Sequence, residues 1–379
     1  MKIYAQRLLL DGKWLAEQVV TVLNGRIEDI APGSAGDLSC HILTPGLVDV
    51  HAHGGEGYYT AYPDAAGLER YLLALARHGI TDVLLTIGSV PDYGAPLSLF
   101  QEVMHRQAAG SPMGARVQGV HLEGPFVNPK KAGAMDATHM QTPSPETFER
   151  LFAPYMGLLR MVTVAPELEG APALIPWLRE RDLRVQLGHT EASYQAAKEA
   201  FGLGADSLCH TFNACPPLHH RQPGAVAAAL MEEMVYCEAI CDGKHLHPAI
   251  LGMIYRLKGP DHMMVVSDSG APTGLPDGDY TFGGRQYRVV DGVNRARDGL
   301  TLAGGACYID GSVRNLTAWG IPKEHAFLMA GQTPARAAGL SEAGCIRPGF
   351  PARLAAWSAE GCCTFSVVDG AVYEGRQQR

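Results

Sequence analysis

Apolar runs and amphipathic stretches alternate along the middle of the chain. Seven short runs rich in Val, Ile, Leu and Met read as buried strands: ITDVLLTI (80–87), ARVQGVHLE (115–123), LRMVTVAPE (159–167), LRVQLGH (183–189), DSLCHTF (206–212), VYCEAICDG (235–243) and HMMVVSDS (262–269). The apolar segment ahead of His51 makes an eighth. Helical periodicity fills most of the gaps. In AAGLERYLLALARHG, Leu68, Leu72 and Leu75 recur at i, i+4 and i+7, and Gly79 follows where a helix-ending glycine belongs. SYQAAKEAFGLG (193–204) repeats the plan. Strands alternating with helices predict a parallel sheet. Eight units in about 220 residues suit an α/β fold of the (β/α)8 TIM-barrel type, for which ~250 residues is typical. A doubly wound open sheet is the alternative, and it would bind ligand at one switch point rather than around a ring of strand ends.

The two ends have a different pattern. Residues 1–45 hold strand-like pieces, KIYAQRLLL and WLAEQVVTVLNGRIEDIAPG, and residues 346–376 read as strands joined by turns. Neither end can form a stable sheet alone. The pattern therefore predicts a small β-sandwich domain built from both chain termini, 1–45 and 345–379, beside a barrel spanning 46–344. Residues 275–305, rich in Gly and Asp, predict a β excursion after the eighth barrel strand.

Composition narrows the function classes. A formal net charge of −8 gives no electrostatic case for nucleic acid or an anionic membrane as partner. No run of about 18 apolar residues offers a membrane span. The N-terminal apolar run is short and interrupted by Asp11, unlike a signal peptide. Nine scattered cysteines, with no C-x-x-C pair, read as reduced thiols and a cytoplasmic location.

Candidate chemistry sits at the ends of the predicted strands. In PGLVDVHAHGGEG, His51 and His53 are two apart, so on a strand both imidazoles project the same way. Gly54 and Gly55 then let the backbone turn. Such convergence is what a metal ion needs. The third strand ends in Glu123, the fifth in His189, the sixth in His210 and Asn213, and the eighth in Asp268. The C-terminal ends of barrel strands carry the active site in essentially every characterised barrel enzyme. Four histidines and two carboxylates at one mouth suffice for one metal ion, and for two if a carboxylate bridges them. His and carboxylate ligands accept Zn, Fe, Mn or Co alike. A bound divalent metal lowers the pKa of water to about 7 and polarises an amide carbonyl. Asp268 is placed to take the water proton and return it to the leaving amine. Arg221, in the turn-rich PPLHHRQPG loop, has the forked donors that suit a phosphate, and His245 is a further donor.

These segments, in this order, resemble the amidohydrolase superfamily and, within it, the N-acetylglucosamine-6-phosphate deacetylase family. The resemblance rests on TPGLVDVHAHG, HLEGPFVNPKKAGA, LGHTEAS, HTFNACPPLHHRQPG, CDGKHLHP, VVSDSGAPTG and LAGG. It implies hydrolysis of the acetamide of N-acetylglucosamine 6-phosphate to glucosamine 6-phosphate and acetate, in amino-sugar catabolism. It also implies one or two divalent metals, zinc first, and a homodimer. Glu123 would be the central ligand, with His189 and His210 completing that site. His51 and His53 would hold a second metal, sharing Glu123. Asp268 would be the catalytic acid/base. Ala134, Asn213, Ala214, Arg221 and His245 would hold the sugar phosphate and acetamide, and Leu302, Ala303 and Gly304 would line the sugar pocket. NAC in place of NAM, a serine ahead of Asp268 and LAGGA bear on which N-acyl sugar is taken. The competing readings are an amidohydrolase for another amide or amino sugar, such as N-acetylgalactosamine 6-phosphate, and a catalytically silent barrel used as a scaffold.

Overall fold

The computed structural model describes residues 1–299 and 301–376; the last three residues of the 345–379 segment lie outside them. Four strands open the chain: β1 (Lys2–Leu10), β2 (Lys13–Leu23), β3 (Arg26–Pro32) and β4 (Leu38–Pro45). The first barrel strand, β5 (Leu47–Ala52), follows at once, then a small hairpin of β6 (Gly54–Gly55) and β7 (Tyr58–Tyr59). The barrel continues through β8 (Ile80–Ile87), β9 (Arg116–Leu122), β10 (Leu159–Val164), β11 (Arg184–Leu187), β12 (Ser207–Leu208), β13 (Tyr236–Ile240) and β14 (Met263–Val266). These eight pair in sequence order, all parallel. A parallel bridge between Ala52 and Ser269 joins the last strand to the first. At this seam the amide of Asp268 donates to the carbonyl of His51 at 2.9 Å, and that of His53 to Ser269 at 2.7 Å.

All eight residues of β8 are buried, because one face meets the helices and the other the barrel interior. The helix Ala65–Arg77 buries Leu68, Leu72 and Leu75, and Asp64 caps it by accepting from the amide of Gly67. Each buried leucine contributes roughly 1.5–3 kcal/mol as an upper estimate. Gly79 ends this helix with φ +76, and a Cβ there would lie 2.7 Å from the Trp357 ring. Glycine is therefore required twice over, by conformation and by close approach.

The termini do combine. β4 lies between β1 and β18 (Arg353–Trp357), in a sheet completed by β19 (Cys363–Val368) and β20 (Ala371–Glu374). Hydrogen bonding makes the sandwich one continuous seven-stranded sheet, folded over so that Arg26 bridges to Pro351. Its inner face encloses Ile3, Leu8, Val20, Ile27, Leu354 and Val367. Arg353 fastens the sheet to the barrel through Asp82 of β8, at 2.8 Å.

The excursion is a three-stranded antiparallel sheet, β15 (Gly278–Phe282), β16 (Arg285–Val290) and β17 (Val293–Ala296). The Tyr62 hydroxyl donates to the carbonyl of Gly283 at 2.9 Å, and Arg285 donates to that of Ala134 at 2.7 Å. Its tip therefore touches two different loops of the barrel mouth. Of the DSLCHTF run, only two residues are strand, because His210 and Phe212 take φ values of 22° and 77°. Among the described residues no helix is long and apolar enough to cross a membrane.

Candidate active site

The ends of β5, β9, β11, β12 and β14 bring six side chains together. Oε1 of Glu123 lies 2.9 Å from His210 Nε2, 3.0 Å from His189 Nε2 and 3.3 Å from His51 Nε2. Its Oε2 lies 3.0 Å from His53 Nε2. Oδ1 of Asp268 is 3.5 Å from Nε2 of both His51 and His53. His189, His210 and Asp268 have φ values of 46°, 22° and 47°. Non-glycine residues seldom occupy this left-handed region, and they cluster where function demands it.

The donor set fits a pair of cations. Nε2 atoms of His189 and His210 face each other at 3.0 Å, and those of His51 and His53 at 3.2 Å. Ring nitrogens so close cannot all carry protons. His189 donates from Nδ1 to the Lys131 carbonyl at 2.7 Å, and His51 from Nδ1 to Glu238 at 3.0 Å. Each bond leaves the lone pair of Nε2 aimed at the centre, the form a metal ligand takes. Among the described residues two ligand groups face the cavity, Glu123 with His189 and His210, and His51 and His53 with Asp268, while a third, His51 with Cys209 and Glu238, is fully buried. Burial opposes the charge of Glu123, but the imidazoles of His189, His51 and His53 outweigh it and hold the carboxyl well below the usual range. Burial also opposes charge on His189, and Glu123 with the Lys131 carbonyl more than offsets it, raising the imidazole.

A cavity of about 330 Å³ opens onto this cluster. His53, Glu123, His189, His210 and Asp268 line it, while His51 is fully buried beneath. Ala134, Asn213, Ala214, His245 and the segment 302–304 line it as well. Asp242 turns His245 toward the cavity: its Oδ2 accepts from Nδ1 at 2.7 Å, and its Oδ1 from the amides of Lys244 and His245. Burial works against the Asp242 carboxylate, yet these bonds hold it down to about 2.

Arg221 does not line this cavity. The loop 216–224 runs outward, a His219–Gln222 bridge tightens it, and the exposed guanidinium bonds His220 Nε2 at 2.8 Å. The one Lys or Arg among the described lining residues is Arg285, on β16, beside Tyr59 and Tyr287. Sequence reasoning missed it because an excursion rich in Gly and Asp carries no strand-end signal. It also missed Glu238, whose signal was a charge inside the apolar run VYCEAI.

Residues 42–372 match the Amidohydrolase family. An N-acetylgalactosamine-6-phosphate deacetylase of Escherichia coli O157:H7 is 34% identical, with 93% of both chains covered. An N-acetylglucosamine-6-phosphate deacetylase of Vibrio furnissii is 33% identical over 94% of this chain and 90% of its own. Among solved structures, a mutant N-acetyl-D-glucosamine-6-phosphate deacetylase of Mycobacterium smegmatis, in complex with N-acetyl-D-glucosamine-6-phosphate, superposes with a TM-score of 0.90 at 30% identity, covering 99% of each chain. The deacetylase of Thermotoga maritima gives 0.87 at 27% identity over 99% and 100%. With the barrel, the clustered ligands and these relatives together, the chain belongs to the amidohydrolase family, among its N-acetylhexosamine-6-phosphate deacetylases.

Proposed function

We propose that this enzyme hydrolyses the acetamide of N-acetylglucosamine 6-phosphate to glucosamine 6-phosphate and acetate, in amino-sugar catabolism. The observation that carries the reading is Glu123, whose two oxygens lie 2.9–3.3 Å from the four histidines of both ligand sets on the floor of a cavity rimmed by Asp268. Residues 46–344 serve as the catalytic barrel, with 1–45 and 345–379 as its companion domain.

Glu123, His189 and His210 would hold one divalent cation, and His51 and His53 with Glu123 would hold a second; zinc is the metal we favour. Bound there, such a cation would polarise the amide carbonyl and acidify water. Asp268 accepts the proton of the attacking water and passes it to the nitrogen, since an amine leaves poorly as an anion. Asn213, the Ala214 backbone and His245 orient the sugar, and 302–304 wall its ring. Arg285 is the cavity's own guanidinium for the 6-phosphate. Arg221, which does not line its own protomer's cavity, is proposed to serve the partner's phosphate in the homodimer that the family resemblance implies. Nine scattered cysteines with no C-x-x-C pair support a reducing, cytoplasmic setting.

N-acetylgalactosamine 6-phosphate is the second reading, favoured by the 34% identical Escherichia coli relative. The deciding experiment is a deacetylation assay on both hexosamine 6-phosphates and their unphosphorylated sugars. Preference for the gluco 6-phosphate is the expected result. Release of acetate from neither 6-phosphate would overturn the proposal.

A further inference from the structure

Glu238 lies on β13 inside the barrel, fully buried, and no step of the reaction above uses it. A buried carboxylate is costly unless donors surround it. Here three donors come from three other parts of the barrel. Oε2 accepts from His51 Nδ1 at 3.0 Å and from the backbone amide of His210 at 2.9 Å. Oε1 accepts from Gln186 Nε2 at 2.5 Å. A carboxylate, with two acceptor oxygens and no donor, answers all three donors at once.

The consequence falls on His51. With its Nδ1 proton held by Glu238, the lone pair of Nε2 points to where His53 Nε2, Glu123 Oε1 and Asp268 Oδ1 lie 3.2, 3.3 and 3.5 Å away. His53 has no such support, since its Nδ1 is buried without a hydrogen-bond partner among the described residues. The tautomer and ring angle of the H-x-H pair are therefore set through one member. Cys209 Sγ lies 3.7 Å from the same Nδ1 and is too weak a partner to compete with the carboxylate.

We infer that Glu238 is the positioning residue of the second cation site, holding His51 as the Nδ1-protonated tautomer so that His51 and His53 bind a metal while Glu123, His189 and His210 bind another. The inference rests on the two-cation reading proposed above. It assigns Glu238 no contact with substrate or with either cation.

The test measures zinc retained per chain by the full-length zinc-loaded protein during titration with a chelator. The wild type is expected to hold two equivalents. In Glu238→Met, which keeps the bulk and removes the acceptors, the weaker equivalent should be lost at ~10–100-fold lower chelator, the usual effect of removing such a partner. The tighter equivalent should stay, and Glu238→Gln, which restores an acceptor, should recover most of the loss. In a His51→Asn background, Glu238→Met should change nothing further. Loss of the remaining equivalent there would make Glu238 a general support of the barrel and overturn the assignment. So would wild-type retention of both equivalents in Glu238→Met. A wild type that holds only one equivalent would instead overturn the two-cation reading. Should Glu238→Met not fold, nitrogen-15 NMR of wild-type His51 decides: a proton on Nδ1 upholds the inference and one on Nε2 ends it.

Discussion

His53 Nε2 approaches Oε2 of Glu123 at 3.0 Å, whereas His189 and His210 approach Oε1. One carboxylate thus spans both ligand sets. An amide in its place offers a single acceptor oxygen and no charge. Glu123→Gln should lose most bound metal and nearly all activity, as read by elemental analysis and an acetate-release assay. The double change His51→Asn with His53→Asn should cost at most one metal equivalent. Full metal content with full activity in Glu123→Gln would refute the bridging role.

Asp268 sits at the rim of the cluster, with its side chain 17% exposed and its Oδ1 3.5 Å from two imidazoles. Asparagine keeps the shape and cannot cycle a proton. Asp268→Asn should fold, bind substrate with little change, and lose at least ~10²-fold in kcat. A rise in KM with kcat preserved would make Asp268 a binding residue.

Under the proposed function the phosphate has two candidate arginines, Arg285 in the cavity and Arg221 outside it, and their positions make different predictions. Either Arg285→Ala or Arg221→Ala should lower kcat/KM on a hexosamine 6-phosphate by roughly 10 to 10³-fold, from lost charge-assisted bonds. The rate on the unphosphorylated sugar should hardly change. Subunit mixing separates the two. Hybrids of Arg221→Ala with Asp268→Asn chains should regain activity, because one site then has its own Asp268 and an intact Arg221 opposite. Hybrids of Arg285→Ala with Asp268→Asn should not. Recovery in both mixtures, or in neither, would contradict this division of labour.

Arg353 joins the domains through Asp82, which is fully buried and also accepts from Gln118 and Thr81. Burial works against the guanidinium, and Asp82 and Asp369 more than compensate, raising it. Removing one member strands a buried charge. Arg353→Met should cost ~3–5 kcal/mol of stability, measured by denaturant unfolding, with zinc content per folded chain unchanged. Wild-type stability in that variant would show that the pair is not what fastens the two parts.

The barrel was legible because parallel strands buried on both faces must be apolar throughout, and ITDVLLTI is. The clustered side chains at the mouth were legible because they end those runs. Arg221 and Arg285 were not separable by the same logic: both lie in loop-rich segments, and only the folded course of each segment tells which one faces the cavity. Glu238 illustrates a second limit. Its charge inside VYCEAI signalled a buried partner, but nothing in the spacing says that the partner is His51, 187 residues away.

The sheet in which β4 lies between β1 and β18 has a consequence for synthesis on the ribosome. Strands β1 to β4 emerge first, and the far edge of β4 has no neighbour until β18 follows, about 300 residues later. At ~5–20 residues per second that interval lasts roughly 15 to 60 s. Throughout it the nascent chain displays an open strand edge, the kind of surface that recruits other chains. The whole barrel is made inside this interval, so the emergence of β18 is the event that covers the open edge of β4.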